Sequence, residues 1–351
     1  MFTSFSIEHF RCFKHLEIKE LERVNLIAGI NNVGKTALLE ALFMHIGYNN
    51  PQLSLVINIK RGMHQYSRSA EDLWGWLFHD RDTRQTISFL SHDHLEKSRE
   101  LSLRLVEPET AIIANADNGS DDTSYMPTDT AQYELLMDFR APDGSTASFT
   151  ASLGEKGLET TGPRKQHPFR AIFLGTGPSG GEDAERFSKL EAKGRHEQII
   201  SMMRIVEPQL KRLSVLASAG QPEVYADLGL SQLIPVRMMG QGTGRLLTIL
   251  LAIADSPQGF TLIDEVDNGL HYSILGKVWH AIRDLARELN AQVFATTHSR
   301  ECISAAHETF SSESPYDFRL HRLERSRSTL EVIQYDKESL ASALKEDLEV
   351  R

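Results

Sequence analysis

The spacing of hydrophobic and polar positions along the 351-residue chain changes several times, and each change predicts an element. Phe5 and Ile7 alternate with polar neighbours and Phe10 and Phe13 add apolar anchors, so the chain opens in β-structure. Val24, Leu26, Ile27 and Ala28 form a short apolar run, the pattern of a buried strand. Residues 36–43 have high helix propensity, and the helix is expected to run to about Tyr48, where Asn49-Asn50-Pro51 breaks it. A second helical segment is expected within 51–80, with Trp74 and Trp76 packing it against a sheet. Residues 86–174 carry β-like runs at 101–106, 133–139 and 171–174. Residues 182–212 read as one helix: Ile199, Met203, Val206 and Leu210 make an apolar stripe, which Pro208 would kink or end. An apolar strand at 260–263, a helix through Leu289, a strand at 292–297 and a strand pair at 318–323 and 330–334 follow. A basic turn, Arg325-Ser326-Arg327, joins the pair, and a short helix closes the chain.

Strands alternating with helices predict an α/β fold with a mixed core sheet. The expected division is a core split between residues 1–48 and 215–351, with 49–214 as an inserted β-rich and helical lobe. Residues 117–129, rich in Asp, Ser, Thr, Asn and Gly, read as an exposed loop. The glycine-rich stretch 175–181 has no lysine and enters no strand–helix unit, so it reads as a linker.

Composition narrows the functional classes. The formal net charge of −10 argues against a broadly basic nucleic-acid surface. Cys12 and Cys302 are the only cysteines, too few for a disulfide framework or a cysteine metal site. The opening residues lack a basic region followed by an apolar one, and no run approaches the ~20 apolar residues of a membrane helix. A cytoplasmic protein is expected.

Candidate chemistry begins at residues 29–36. Gly29-Ile30-Asn31-Asn32-Val33-Gly34-Lys35-Thr36 fits G-x-x-x-x-G-K-[ST], between a strand and a helix that continues at Ala37. Backbone N–H groups of such a loop face phosphate, Lys35 reaches the β- and γ-phosphates, and the Thr36 hydroxyl ligates Mg²⁺. Far along the chain, Phe260-Thr261-Leu262-Ile263 ends in Asp264 and Glu265. An apolar strand ending in two acids suits a metal-holding carboxylate, Asp264, and a water-polarising one, Glu265. His298 ends the next strand, where ligands bind in open α/β sheets.

With Asp267-Asn268-Gly269-Leu270-His271, these motifs stand in the order of an ABC-type ATPase head. The opening Ile7-Glu8-His9-Phe10-Arg11-Cys12-Phe13 and the pair Asn31-Asn32 resemble the SMC, RecF and OLD (overcoming lysogenization defect) branch, and within it the stand-alone bacterial AAA-type ATP/GTP phosphatases. The resemblance implies a P-loop NTPase that uses ATP with Mg²⁺. It implies catalytic roles for Lys35, Glu265 and His298, metal ligation by Thr36 and Asp264, and a dimer-interface loop at 267–271. Residues 239–247 stand where a signature segment belongs. Gly240 occupies the family's serine position and only Gly242 of its glycine pair is kept. Gly240 and Gly242 would then present the start of a helix to a nucleotide held by a second copy. Arg245 reads equally as an added positive charge or as a solvated helix residue. Gln65 is the candidate glutamine-loop residue, and Lys60-Arg61-Gly62 a basic element near the phosphates.

The expected function is Mg²⁺-dependent ATP binding and hydrolysis that switches a partner. The resemblance implies an ATP-dependent homodimer and an effector supplied in trans, a Toprim-like nuclease encoded nearby, in anti-phage defence. The chain is expected to end too soon to hold such a nuclease itself. A RecF-like ATPase acting on DNA ends, a transporter subunit, a GTPase and an ATP-gated scaffold with little turnover are the alternatives.

Overall fold

The computed structural model describes residues 1–63, 70–106, 133–154, 157–163, 169–177, 180–218, 220–326 and 329–351. Gln65, Arg327 and the loop expected at 117–129 lie outside them.

The chain opens with a hairpin, β1 (Phe2–Phe10) and β2 (Phe13–Ile18), closed at the pair Phe10–Phe13. β3 (Val24–Ala28) follows, buried at all five positions, and leads into α1 (Lys35–Ile46). Two short helices, α2 (Leu53–Lys60) and α3 (Ala70–Trp74), precede five antiparallel strands. These are β4 (Ile87–Asp93), β5 (Ser98–Val106), β6 (Glu134–Arg140), β7 (Thr146–Gly154) and β8 (Gly157–Thr161). They join the opening hairpin in one seven-stranded sheet of order β2-β1-β4-β5-β6-β7-β8.

The chain then returns to a second sheet through β9 (Ala171–Leu174). After α4 (Gly180–Ala192) and α5 (His196–Met203), β10 (Arg212–Ser218), β11 (Gln221–Asp227) and β12 (Ile234–Pro235) make a small third sheet. Helix α6 (Gln241–Ala254), β13 (Phe260–Ile263), α7 (Leu275–Glu288), β14 (Gln292–Thr296) and α8 (Arg300–Ser311) form the α/β unit. β15 (Phe318–Ser326), β16 (Thr329–Tyr335) and α9 (Lys337–Lys345) complete it. The second sheet has the order β16-β15-β3-β14-β13-β9, five parallel strands with β16 antiparallel at one edge.

A parallel sheet covered on both faces explains the continuous apolar runs. Val24, Leu26 and Ile263 point into one core with α6, α7 and α8, whereas Ile27, Leu262 and Phe294 point into another. That second core holds α1 between the parallel sheet and the antiparallel one, with Phe5, Ile7 and Phe89 on its far side. Ten of the twelve residues of α1 are buried, so the helix shows no polar stripe. Even its penultimate residue, His45, is enclosed by Phe2, Phe5 and Phe89; it meets Ser91 Oγ at 2.8 Å, and burial pushes its imidazole down to about 3.

The structure corrects three expectations. The helix predicted over 182–212 is two helices, because Gly194 takes φ +67° and breaks the ladder between α4 and α5. Pro208 lies beyond both, while Ile199, Met203 and Leu210 still reach the core. The sheets also do not divide at residues 48 and 215: β1 and β2 belong to the antiparallel sheet, and β9 is a strand of the parallel one. Finally, Trp74 is buried and donates to Ser54 Oγ, but Trp76 is half-exposed under the Arg81 guanidinium. Among the described residues no helix is long and apolar enough to cross a membrane.

Candidate nucleotide-binding site

The loop between β3 and α1 is shaped by its glycines and braced from below. Gly29 has φ +143°, and a Cβ there would stand 2.7 Å from the Leu323 carbonyl oxygen. Gly34 has φ +115°, and its Cβ would stand 2.8 Å from Cys12 Sγ and 2.9 Å from the Phe13 ring. The β1–β2 turn therefore presses on the loop where a side chain would otherwise sit. Asn32 takes the left-handed conformation that asparagine tolerates, and Val33 is buried beneath the loop. Lys35 curls back, its Nζ donating to the carbonyls of Gly29 at 2.6 Å and Ile30 at 3.0 Å. Burial pushes the Lys35 ammonium down, and the carboxylates of Asp264, Glu265 and Asp267 oppose that shift.

Thr36 and Asp264 meet although 228 positions separate them: Thr36 Oγ1 donates to Asp264 Oδ2 at 2.9 Å. The pairing of β13 with β14 adds a residue that sequence reasoning did not single out. Thr296 Oγ1 donates to Asp264 Oδ1 at 2.7 Å and accepts from the Glu265 N–H at 2.8 Å. One hydroxyl thus sets the carboxylate of the first acid and the backbone of the second. The available signal was a pair of threonines directly before His298. Thr297 Oγ1 donates to Asp267 Oδ1 at 2.7 Å and accepts from the Ser299 N–H, and Ser299 caps α8. His298 is exposed at the carboxyl end of β14. Lys35, Thr36, Asp264, Glu265 and His298 all lie at the carboxyl ends of parallel strands, where an open α/β sheet receives its ligand.

Gly240 and Gly242 lie beside the chain beyond β13 rather than the phosphate loop. Gly240 caps the start of α6 with φ +114°. A Cβ on Gly242 would stand 3.1 Å from the Gly269 carbonyl oxygen, and one on Gly269 3.0 Å from Gln241 Cβ, so this helix start rests on Gly269 and Leu270. Over it opens a cavity of about 830 Å³, walled by Gln221, Glu223, Arg237, Gln241, Arg245 and Asn268; no residue of 29–36 lines it. Arg245 is half-buried in that wall, and its charge is not free. Its guanidinium donates to the backbone carbonyls of Gly175, Asp264 and Glu265. Burial pushes it down, against the pull of Asp264 and Glu265.

Arg61, expected as a basic element near phosphate, makes a two-pronged pair with Glu40 of α1, at 2.8 and 2.9 Å. Arg11 shares the same buried carboxylate at 2.7 Å, and burial pushes Arg11 down to about 10. Lys60 lies over the Phe173 ring.

A glycine loop at a helix start, facing an acid pair at the end of a parallel strand two places along the sheet, defines an ABC-type ATPase of the P-loop class. The chain belongs to the family described as "AAA domain, putative AbiEii toxin, Type IV TA system", which matches residues 58–304. A second family, described as "AAA domain", matches residues 4–104. The chain is similar to an "ATP/GTP phosphatase" of Helicobacter pylori, with 22% identity over 323 residues, 86% of each chain. Among solved structures it resembles an SMC head bound to the C-winged helix domain of ScpA, with a TM-score of 0.50 at 12% identity over 98% of this chain and 99% of that one. It also aligns with the SMC head domain from Thermotoga maritima, with a TM-score of 0.45 at 12% identity over 95% and 99%. The first of these likenesses shows the fold.

Proposed function

We propose that this ATPase binds Mg²⁺·ATP on residues 29–37 and hydrolyses it with the acid pair at the end of β13. The observation that carries the reading is the Thr36–Asp264 contact. Its two partly buried oxygen ligands fit a hard divalent cation that also takes phosphate oxygens and water. Thr36 and Asp264 would hold Mg²⁺, which supplies charge neutralisation at the phosphates when bound. Lys35 then leaves the Gly29 and Ile30 carbonyls for the β- and γ-phosphates. Gly29, Asn31, Asn32, Val33, Gly34 and Ala37 supply backbone N–H groups, Ile30 remains at the exposed rim, Glu265 orients the attacking water, and His298 meets the γ-phosphate.

The cavity over the helix start that carries Gly240 is lined by no residue of the phosphate loop, which supports completion of the site by a second copy. Light scattering of the Glu265→Gln variant should show the protomer mass without nucleotide and twice that mass with Mg²⁺·ATP, and chelation of Mg²⁺ should reverse the change. A mass that stays at the protomer under all three conditions would remove the second copy from the site.

The nucleotide cycle, on this reading, switches a partner effector. The family's description as a toxin of a toxin–antitoxin system supports a role in controlled toxicity. A nuclease of Toprim type encoded nearby is the effector we favour, in an anti-phage setting.

A further inference from the structure

Glu265 has an unusual backbone for a catalytic carboxylate: φ is +48°, in the left-handed region that a glutamate rarely adopts. Such a conformation persists only where its surroundings over-determine it. Both sides of the residue are held. Its N–H is fixed by Thr296 Oγ1, and its carbonyl accepts from the Asn268 N–H at 3.0 Å and from Arg245 Nη2 at 3.2 Å. The same Nη2 also bonds the Asp264 carbonyl, and Nη1 bonds the Gly175 carbonyl at 2.9 Å. One guanidinium therefore ties the ends of β9 and β13 together beneath the acid pair. Its Nε is buried and meets no acceptor among the described residues.

Arg245 rides on α6, the helix whose start carries Gly240 and Gly242. That start packs on Gly269 and Leu270, a few residues beyond Glu265. We infer that Arg245 is a positioning residue for hydrolysis: it fixes the Glu265 carboxylate by holding its carbonyl, and it makes the acid's aim depend on where α6 sits. What seats on the glycines at the start of α6 is then felt at the acid pair of the same chain. The inference rests on the reading of Glu265 as the residue that orients water.

The test is a double-mutant cycle between Arg245 and Glu265, with ATP affinity and kcat measured on each purified protein. Arg245→Gln removes the charge and the fork that spans three carbonyls. It should lower kcat about 10- to 100-fold, since a shift of about an ångström in a catalytic group has that effect. ATP affinity should stay within about threefold, because the phosphate loop is untouched. The double variant should be no slower than Glu265→Gln alone, because residues acting as one unit do not add. Arg245→Lys, which keeps the charge, should regain part of kcat, and it enters the same cycle if the glutamine variant does not fold. Full kcat in Arg245→Gln, additive losses in the double variant, or a parallel fall of affinity and kcat would each overturn the assignment. If wild-type turnover does not depend on Glu265 at all, the underlying reading of the acid has failed instead.

Discussion

Glu265→Gln should bind Mg²⁺·ATP as tightly as the wild type and release phosphate at least about a hundredfold more slowly, the scale on which losing a proton-accepting group acts. The carboxamide keeps the size of the carboxylate, and the backbone bonds from Thr296 and Arg245 do not involve the side chain. Asp264, held by Thr36 and Thr296, keeps its two oxygen contacts. On the proposed reading, only the negative charge that orients and polarises water is lost. Equilibrium nucleotide binding and phosphate release measured on one preparation separate the two effects. Undiminished release would move the catalytic role to another residue, with His298 the first to be tested.

Lys35→Ala should fail at the earlier step. Among the described residues the ammonium is the one cation whose hydrogen bonds lie inside the loop, where it donates to two carbonyls. Replacing it removes a charged donor to phosphate and leaves the Gly29 and Ile30 carbonyls without that donor. Hydrogen bonds to charged groups contribute about 1.5–3 kcal/mol, so ATP affinity should fall about 10- to 150-fold. The thermal midpoint without nucleotide should change little, since the buried apolar residues of α1 are intact. Calorimetric titration with Mg²⁺·ATP checks the first expectation and a melt the second. Retained affinity would mean that the loop's N–H groups alone carry the phosphates.

The parts of this site that were legible in the sequence are local. Residues 29–36 and their flanks are contiguous, and a strand that ends in two acids is visible in one window. Thr296 and Arg245 escaped because their roles are created by pairing. Thr296 matters only once β14 lies beside β13, and Arg245 only once α6 packs under β13 and β9. For Arg245 the sequence left two readings open, and the structure gave a third. The fold shows the same division. The five-residue run of β3 announced a buried strand, but the four residues of β9 carry nothing that says whether the partner is parallel or antiparallel. The long helix over 182–212 was misread because a single glycine inside a polar helical pattern is usually tolerated. Here Gly194 uses the one freedom that ends a helix.

The burial of α1 has a consequence for how the molecule responds to its ligand. A helix clasped by two sheets has no compliant side; to tilt it would open two cores at once, and close-packed interiors resist that. On the proposed reading, the residues that hold phosphate therefore start on a girder packed on both sides. When ATP arrives or departs, the girder is the stationary reference, and the stroke belongs to whatever hangs beside it on a few polar ties.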